Sequence, residues 1–156
     1  MKILSVLKTL FFAAMLSMGI SGAGYAADHG TAPEAEALVK KAVAQIKAVG
    51  AEKAYDEFTH GKAFKDRDLY IFVYDLNGKA LAQGANAKLV GKDLLNMKDA
   101  DGKFIIQMQI AIAKEKGKGW TGDYKFLNPV SQKIEAKAAY VERVGDTYVA
   151  CGIYKE

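Results

Sequence analysis

Between Ala35 and Val49 apolar residues recur at three- and four-residue intervals (Ala35, Leu38, Val39, Ala42, Ile46, Val49), while Glu36, Lys40, Lys41 and Lys47 fall on the opposite side. This spacing predicts an amphipathic helix. Thr31 followed three residues later by Glu34 has the spacing of a capping box, and Pro33 sits in the first turn, where its missing N–H costs nothing, so the helix is expected to begin there. Gly50 ends or kinks it. A second, short helix with Ala51, Ala54, Tyr55 and Phe58 on one side is expected to run to Gly61.

From Asp68 the hydrophobic period changes to two. Leu69 to Tyr74 is a β-rich run closed by Asp75-Leu-Asn-Gly78 and followed by Lys79 to Gln83, which predicts a hairpin. Gly84 to Leu95 is loop-like and residues 98–102 form another turn. Phe104, Ile105, Met108, Ala111 and Ile112 return to helical spacing up to Gly117, and Ile106 and Ile110 widen the apolar face until both sides call for cover. Three strands complete the chain: Trp120 to Leu127, Ile134 to Val144, and Thr147 to Tyr154 after a tight turn at Gly145-Asp146. Five strands joined mostly by hairpin-length turns predict an antiparallel sheet, and with the helices an α+β domain.

The first 26 residues read as an address. Lys2 and Lys8 flank the start of an apolar run from Leu10 to Ala23 that carries no acidic residue and ends in the small-residue stretch Gly22-Ala-Gly-Tyr-Ala-Ala27. Such a run is short for a bilayer span and has the exit of a secretory signal peptide. Cleavage is expected after Ala26, which leaves residues 27–156 as one domain and a periplasmic or secreted location; the alternative is an uncleaved N-terminal anchor. Nothing later in the chain reads as a membrane span. Losing Lys2 and Lys8 lowers the formal charge from +4 to +2, and the remaining basic residues alternate with acidic ones, so no nucleic-acid-binding face is expected. The single cysteine, Cys151, lies in the apolar run Tyr148-Val-Ala-Cys-Gly-Ile153 and is expected to be a buried, reduced hydrophobe.

Catalytic and cofactor signatures are missing. His29 and His60 are the only histidines, and with one distant thiol they do not make a zinc site. No phosphate-binding glycine motif or haem-attachment run occurs, and no cofactor is expected. Asp99, Asp101 and Gly102 resemble a fragment of a calcium loop without its other ligands. A turn is the simpler reading.

Two features carry candidate chemistry. Lys137 stands among small and apolar residues in Ile134-Glu-Ala-Lys-Ala-Ala-Tyr-Val141, sharing a face with Glu135, Ala139 and Val141. It is either a solvent-facing lysine that blunts an edge strand or an ammonium at the back of a pocket, where a desolvated cation demands a charged partner. Aromatic residues supply the second feature. Trp120 and Tyr124 face the same way if their strand is regular, as do Tyr70, Phe72 and Tyr74 on the first strand. Such side chains suit an apolar pocket with a few oriented donors, or an ordinary half-buried sheet.

The order of the segments Tyr70-Ile-Phe-Val-Tyr-Asp-Leu-Asn-Gly78, Gly84 to Leu94, Asp99 to Phe104, Gly119-Trp-Thr-Gly-Asp-Tyr124, Asn128-Pro129, Glu135 to Val141 and Cys151-Gly-Ile-Tyr154 resembles that of the single Cache domains of the second type, extracytoplasmic sensor modules related to PAS domains. The likeness spans nearly the whole of residues 27–156. It implies a long N-terminal helix packed on a five-stranded antiparallel sheet, with a pocket on the sheet for a small organic acid such as acetate, propionate, lactate or pyruvate. By the same resemblance Trp120, Tyr124 and Lys137 fall at pocket positions, with Tyr70 beside them and Gln83 where many members carry histidine. An amide there can donate a hydrogen bond but cannot become a cation. Relatives of this kind are mostly the outer parts of chemoreceptors and histidine kinases. No second membrane helix or signalling domain follows here, so a sensor would pass its signal to a membrane-bound receptor or kinase. An accessory protein with an unused pocket is the other reading, and an enzyme is not expected.

Overall fold

The computed structural model describes residues 29–155. The expected signal peptide and its cleavage site lie outside the described residues. α1 (Ala32–Val49) starts where the capping pattern predicts: the Glu34 carboxylate accepts from the backbone N–H and the hydroxyl of Thr31, both at 2.8 Å. Gly50, at a φ of 86° that favours glycine, breaks the axis before α2 (Ala51–His60). A two-residue β1 (Lys65–Asp66), which sequence patterning missed, precedes the β2 (Leu69–Asp75) and β3 (Ala80–Gln83) hairpin. After a loop containing a 3-10 turn come α3 (Ile105–Glu115), β4 (Lys118–Trp120), β5 (Tyr124–Leu127), β6 (Ile134–Val144) and β7 (Thr147–Lys155).

All pairings are antiparallel, and β2, β7 and β6 form the centre of the sheet. β1 and β3 both pair with the outer side of β2, and β4 and β5 both pair with the outer side of β6. Seven segments therefore fill five strand positions, matching the expected sheet. One face packs on α1 and α2 through Val39, Phe58, Ile71, Val73, Tyr140, Val149 and Cys151. The other carries Tyr70, Phe72, Tyr74, Tyr124, Val141, Tyr148 and Tyr154 beneath α3. The chain ahead of α1 is tied to the start of β2 by Asp68, whose buried carboxylate accepts from the Gly30 N–H at 2.7 Å and meets His29 Nδ1 at 2.6 Å. Among the described residues no helix is long and apolar enough to cross a membrane.

One strand expectation is corrected. The run Trp120 to Leu127 is not continuous: Trp120 pairs with Tyr140 but Tyr124 pairs with Lys137, so four steps along this edge match three along β6. The surplus residue, in the Thr121-Gly122-Asp123 interruption, reverses the face, as a bulge does. Trp120 and Tyr124 therefore point to opposite sides of the sheet.

Candidate functional site

Lys137 lies in the middle of the sheet and not at its edge, because β6 is paired on both sides. Only 1% of it is exposed, so the solvent-facing reading is excluded. Its stem crosses β7 over Gly152, where any Cβ would strike the lysine Cε, and delivers the ammonium to Tyr70 on β2. The Nζ donates to the Tyr70 hydroxyl at 2.6 Å and to the Tyr154 hydroxyl at 3.1 Å. The rings of Tyr70, Tyr154, Phe126 and Phe72 surround it, with centroids at 4.1, 4.4, 5.3 and 5.6 Å.

The directions of these hydrogen bonds follow from one group. The Leu127 carbonyl can only accept, so Tyr154 donates to it at 2.7 Å. Tyr154 then accepts from the Tyr70 hydroxyl, 3.2 Å away, and Tyr70 accepts from Lys137. Both phenol oxygens thus turn lone pairs toward the ammonium. Burial holds the Tyr70 and Tyr124 phenols well above their ordinary range, so both stay protonated donors.

Lone pairs and ring faces are the ammonium's close company among the described residues. No salt bridge to Lys137 occurs among the described residues. Desolvation consequently pulls its pKa down to about 7, against partial support from Cys151 and Asp68. The space in front of it is a slot of about 10 Å³ walled by Tyr74, Gln83, Ile106, Gln109, Tyr124 and Phe126 among others. That holds roughly one water. At its floor the Gln109 carbonyl accepts from Tyr148 at 2.8 Å and its amide approaches the Tyr124 oxygen at 3.4 Å, which leaves the Tyr124 O–H free to donate into the slot.

Of the residues singled out from sequence, Tyr70, Gln83, Tyr124 and Lys137 come together around this slot. Gln83 is buried, pairs with Phe72 across the hairpin, and accepts from the Ala85 N–H at 3.1 Å. Trp120 does not join them. It lies against Tyr140 on the helix-packed face and donates from Nε1 to Glu36 of α1 at 2.8 Å, a consequence of the reversed face. Tyr154, Gly152 and Phe126 are site residues that sequence reasoning missed. The Asp99 carboxylate accepts from the backbone N–H groups of Asp101, Lys103 and Lys125 and so organises a turn. Among the described residues no cluster of His, Cys, Asp or Glu could hold a metal.

Comparison with known proteins agrees with this fold. The sequence matches the family described as Single Cache domain 2 over residues 17–156. It is 30% identical over 77 residues to the methyl-accepting chemotaxis protein McpP of Pseudomonas putida, a stretch covering 49% of this chain and 14% of that protein. Only a small part of the relative is therefore spanned. A methyl-accepting chemotaxis protein from Vibrio parahaemolyticus has the same fold, with a TM-score of 0.68 at 24% identity over 78% of this chain and 86% of that one. A Cache chemosensory domain solved as the structural basis for carboxylic acid recognition gives 0.67 at 22% identity over 80% and 92%.

Proposed function

We propose that this chain, which belongs to the single Cache domain 2 family, binds a small carboxylate at Lys137 and reports its presence to a membrane-bound receptor or kinase. Family membership makes it an extracytoplasmic sensor domain and not an enzyme. The observation that carries the carboxylate is the buried, caged ammonium with no counter-ion among the described residues. A cation taken out of water is costly until an anion joins it, and a carboxylate does so with charge-assisted hydrogen bonds. Tyr124 supplies an O–H donor, and Tyr70 and Gln83 line the approach. The solved relative described for carboxylic acid recognition supports the same ligand class. In this reading the domain works in the periplasm after export.

A thermal-shift and calorimetric screen of one- to five-carbon acids against the purified protein tests the proposal. At least one acid is expected to bind, and Lys137→Met to weaken it by about ten- to a hundredfold, the equivalent of a charge-assisted hydrogen bond of roughly 1.5 to 3 kcal/mol. If no acid binds, or if Lys137→Met binds as well as wild type, the ligand assignment fails and an accessory role with an unused pocket takes its place.

A further inference from the structure

Beside the Lys137 slot lies a second, larger pocket of about 230 Å³. Gln83 and Phe126 line both spaces, so these two side chains form the partition between them. The inner slot, at about 10 Å³, has room for little beyond the oxygens of a carboxylate even after modest rearrangement. The rest of any bound acid must extend past the partition.

The walls of the outer pocket decide what that remainder is. Phe126, Leu127, Leu89 and Pro129 supply apolar surface, and among the described residues no charged side chain lines it. Among its polar groups, Gln83 Oε1 accepts from the Ala85 N–H, Asn86 Oδ1 from the Lys88 N–H, and Gln132 Nε2 donates to the Pro129 carbonyl. A second carboxylate there would meet no cation among the lining side chains. A methylene chain would displace water from apolar walls.

Resting on the carboxylate reading of Lys137, we infer that the two spaces form one composite site for an uncharged-tail monocarboxylate, its head at Lys137 and its apolar tail beyond Gln83 and Phe126. The site discriminates by tail: longer acids bind more tightly than acetate, and a second carboxylate gains nothing there.

Titration calorimetry of the purified protein with acetate, butyrate, hexanoate and succinate tests this, in wild type and in Leu89→Trp, which fills the outer pocket from its lip. Affinity is expected to rise by about fourfold for each methylene that reaches the outer pocket, with succinate weaker than butyrate. Leu89→Trp is expected to remove the dependence on chain length while leaving acetate binding within about twofold of wild type, which also shows that the variant is folded. Equal affinity for acetate and hexanoate overturns the inference, as does a length dependence that survives Leu89→Trp. Both leave the Lys137 reading standing. Binding that is indifferent to Lys137→Met, or no binding of any acid, overturns both together.

Discussion

The side chain of Lys137 passes directly over the Cα of Gly152 on the neighbouring strand, and no side chain can stand at 152 without striking its Cε. The ammonium therefore reaches Tyr70 across a gap that only glycine leaves open. Gly152→Ala is expected to push the lysine stem off this path, costing about 1 to 3 kcal/mol of stability, as overpacking does, and weakening carboxylate binding by at least about tenfold. Urea unfolding in a double-mutant cycle with Lys137→Ala checks the cause. The stability cost should largely vanish once the stem is gone. A cost that stays the same in both backgrounds would place the strain at the Ala138 carbonyl instead, 3.1 Å from the added Cβ.

Trp120 and Tyr124 separate stability from binding. Trp120→Phe removes the bond to Glu36 and is expected to cost roughly 0.5 to 1.5 kcal/mol of stability, with ligand affinity within about twofold of wild type. Tyr124→Phe, which deletes the O–H available to the slot, is expected to weaken binding several-fold with little change in fold. Paired melting and calorimetry on the two variants decide this. Should Trp120→Phe weaken binding more than Tyr124→Phe, the assignment of faces is wrong.

The contrast between these two residues marks where sequence reading stops. The α1 boundaries, the β2–β3 hairpin and the limits of β6 were legible because periodicity, caps and turns all act locally. The interruption after Trp120 was not. A bulge depends on the count of residues against a partner strand, and a single surplus residue moves every later side chain to the other face. Its only local trace is the turn-like composition of Thr121-Gly122-Asp123. Tyr154 is a different case, since the Gly145-Asp146 turn sets Val144 against Thr147 and thereby Lys137 against Tyr154. Counting outward from that turn would have found it. Gly152 was beyond reach, because the path of a lysine stem over a neighbouring strand leaves no mark in periodicity.

Cys151 faces the helix-packed core opposite Tyr140, and burial pushes its thiol up to about 12 despite the nearby Lys137. Alkylation proceeds through the thiolate, so native protein near pH 7.5 is expected to resist iodoacetamide and to react rapidly only in denaturant. Mass spectrometry of time points reads this directly. Fast native labelling would mean that β7 opens readily, and the slot along with it.

The same burial makes binding depend on pH. Free of ligand, Lys137 sits at about 7 in place of its ordinary 10.5. The phenols of Tyr70, Tyr124, Tyr148 and Tyr154 and the Cys151 thiol are all raised, so none of these five groups titrates between pH 6 and 9. A bound carboxylate supplies the missing counter-charge and lets the lysine keep its proton. Below about 7 the proton is already in place, and affinity is expected to be flat. Above it, binding must take up a proton, and affinity should fall toward tenfold per pH unit until the pKa of the bound state is reached. Stability of the free protein runs the other way. With the folded pKa below the unfolded one, the unfolded chain holds the extra proton between about 7 and 10.5, so stability rises with pH across that window, by up to about 1.4 kcal/mol per unit. Calorimetry from pH 6 to 9, with urea unfolding of wild type against Lys137→Met to cancel every other group, measures both slopes. If both are flat, the four aromatic rings and two phenol oxygens hold the ammonium charged by themselves, and the site does not need an anion to complete it.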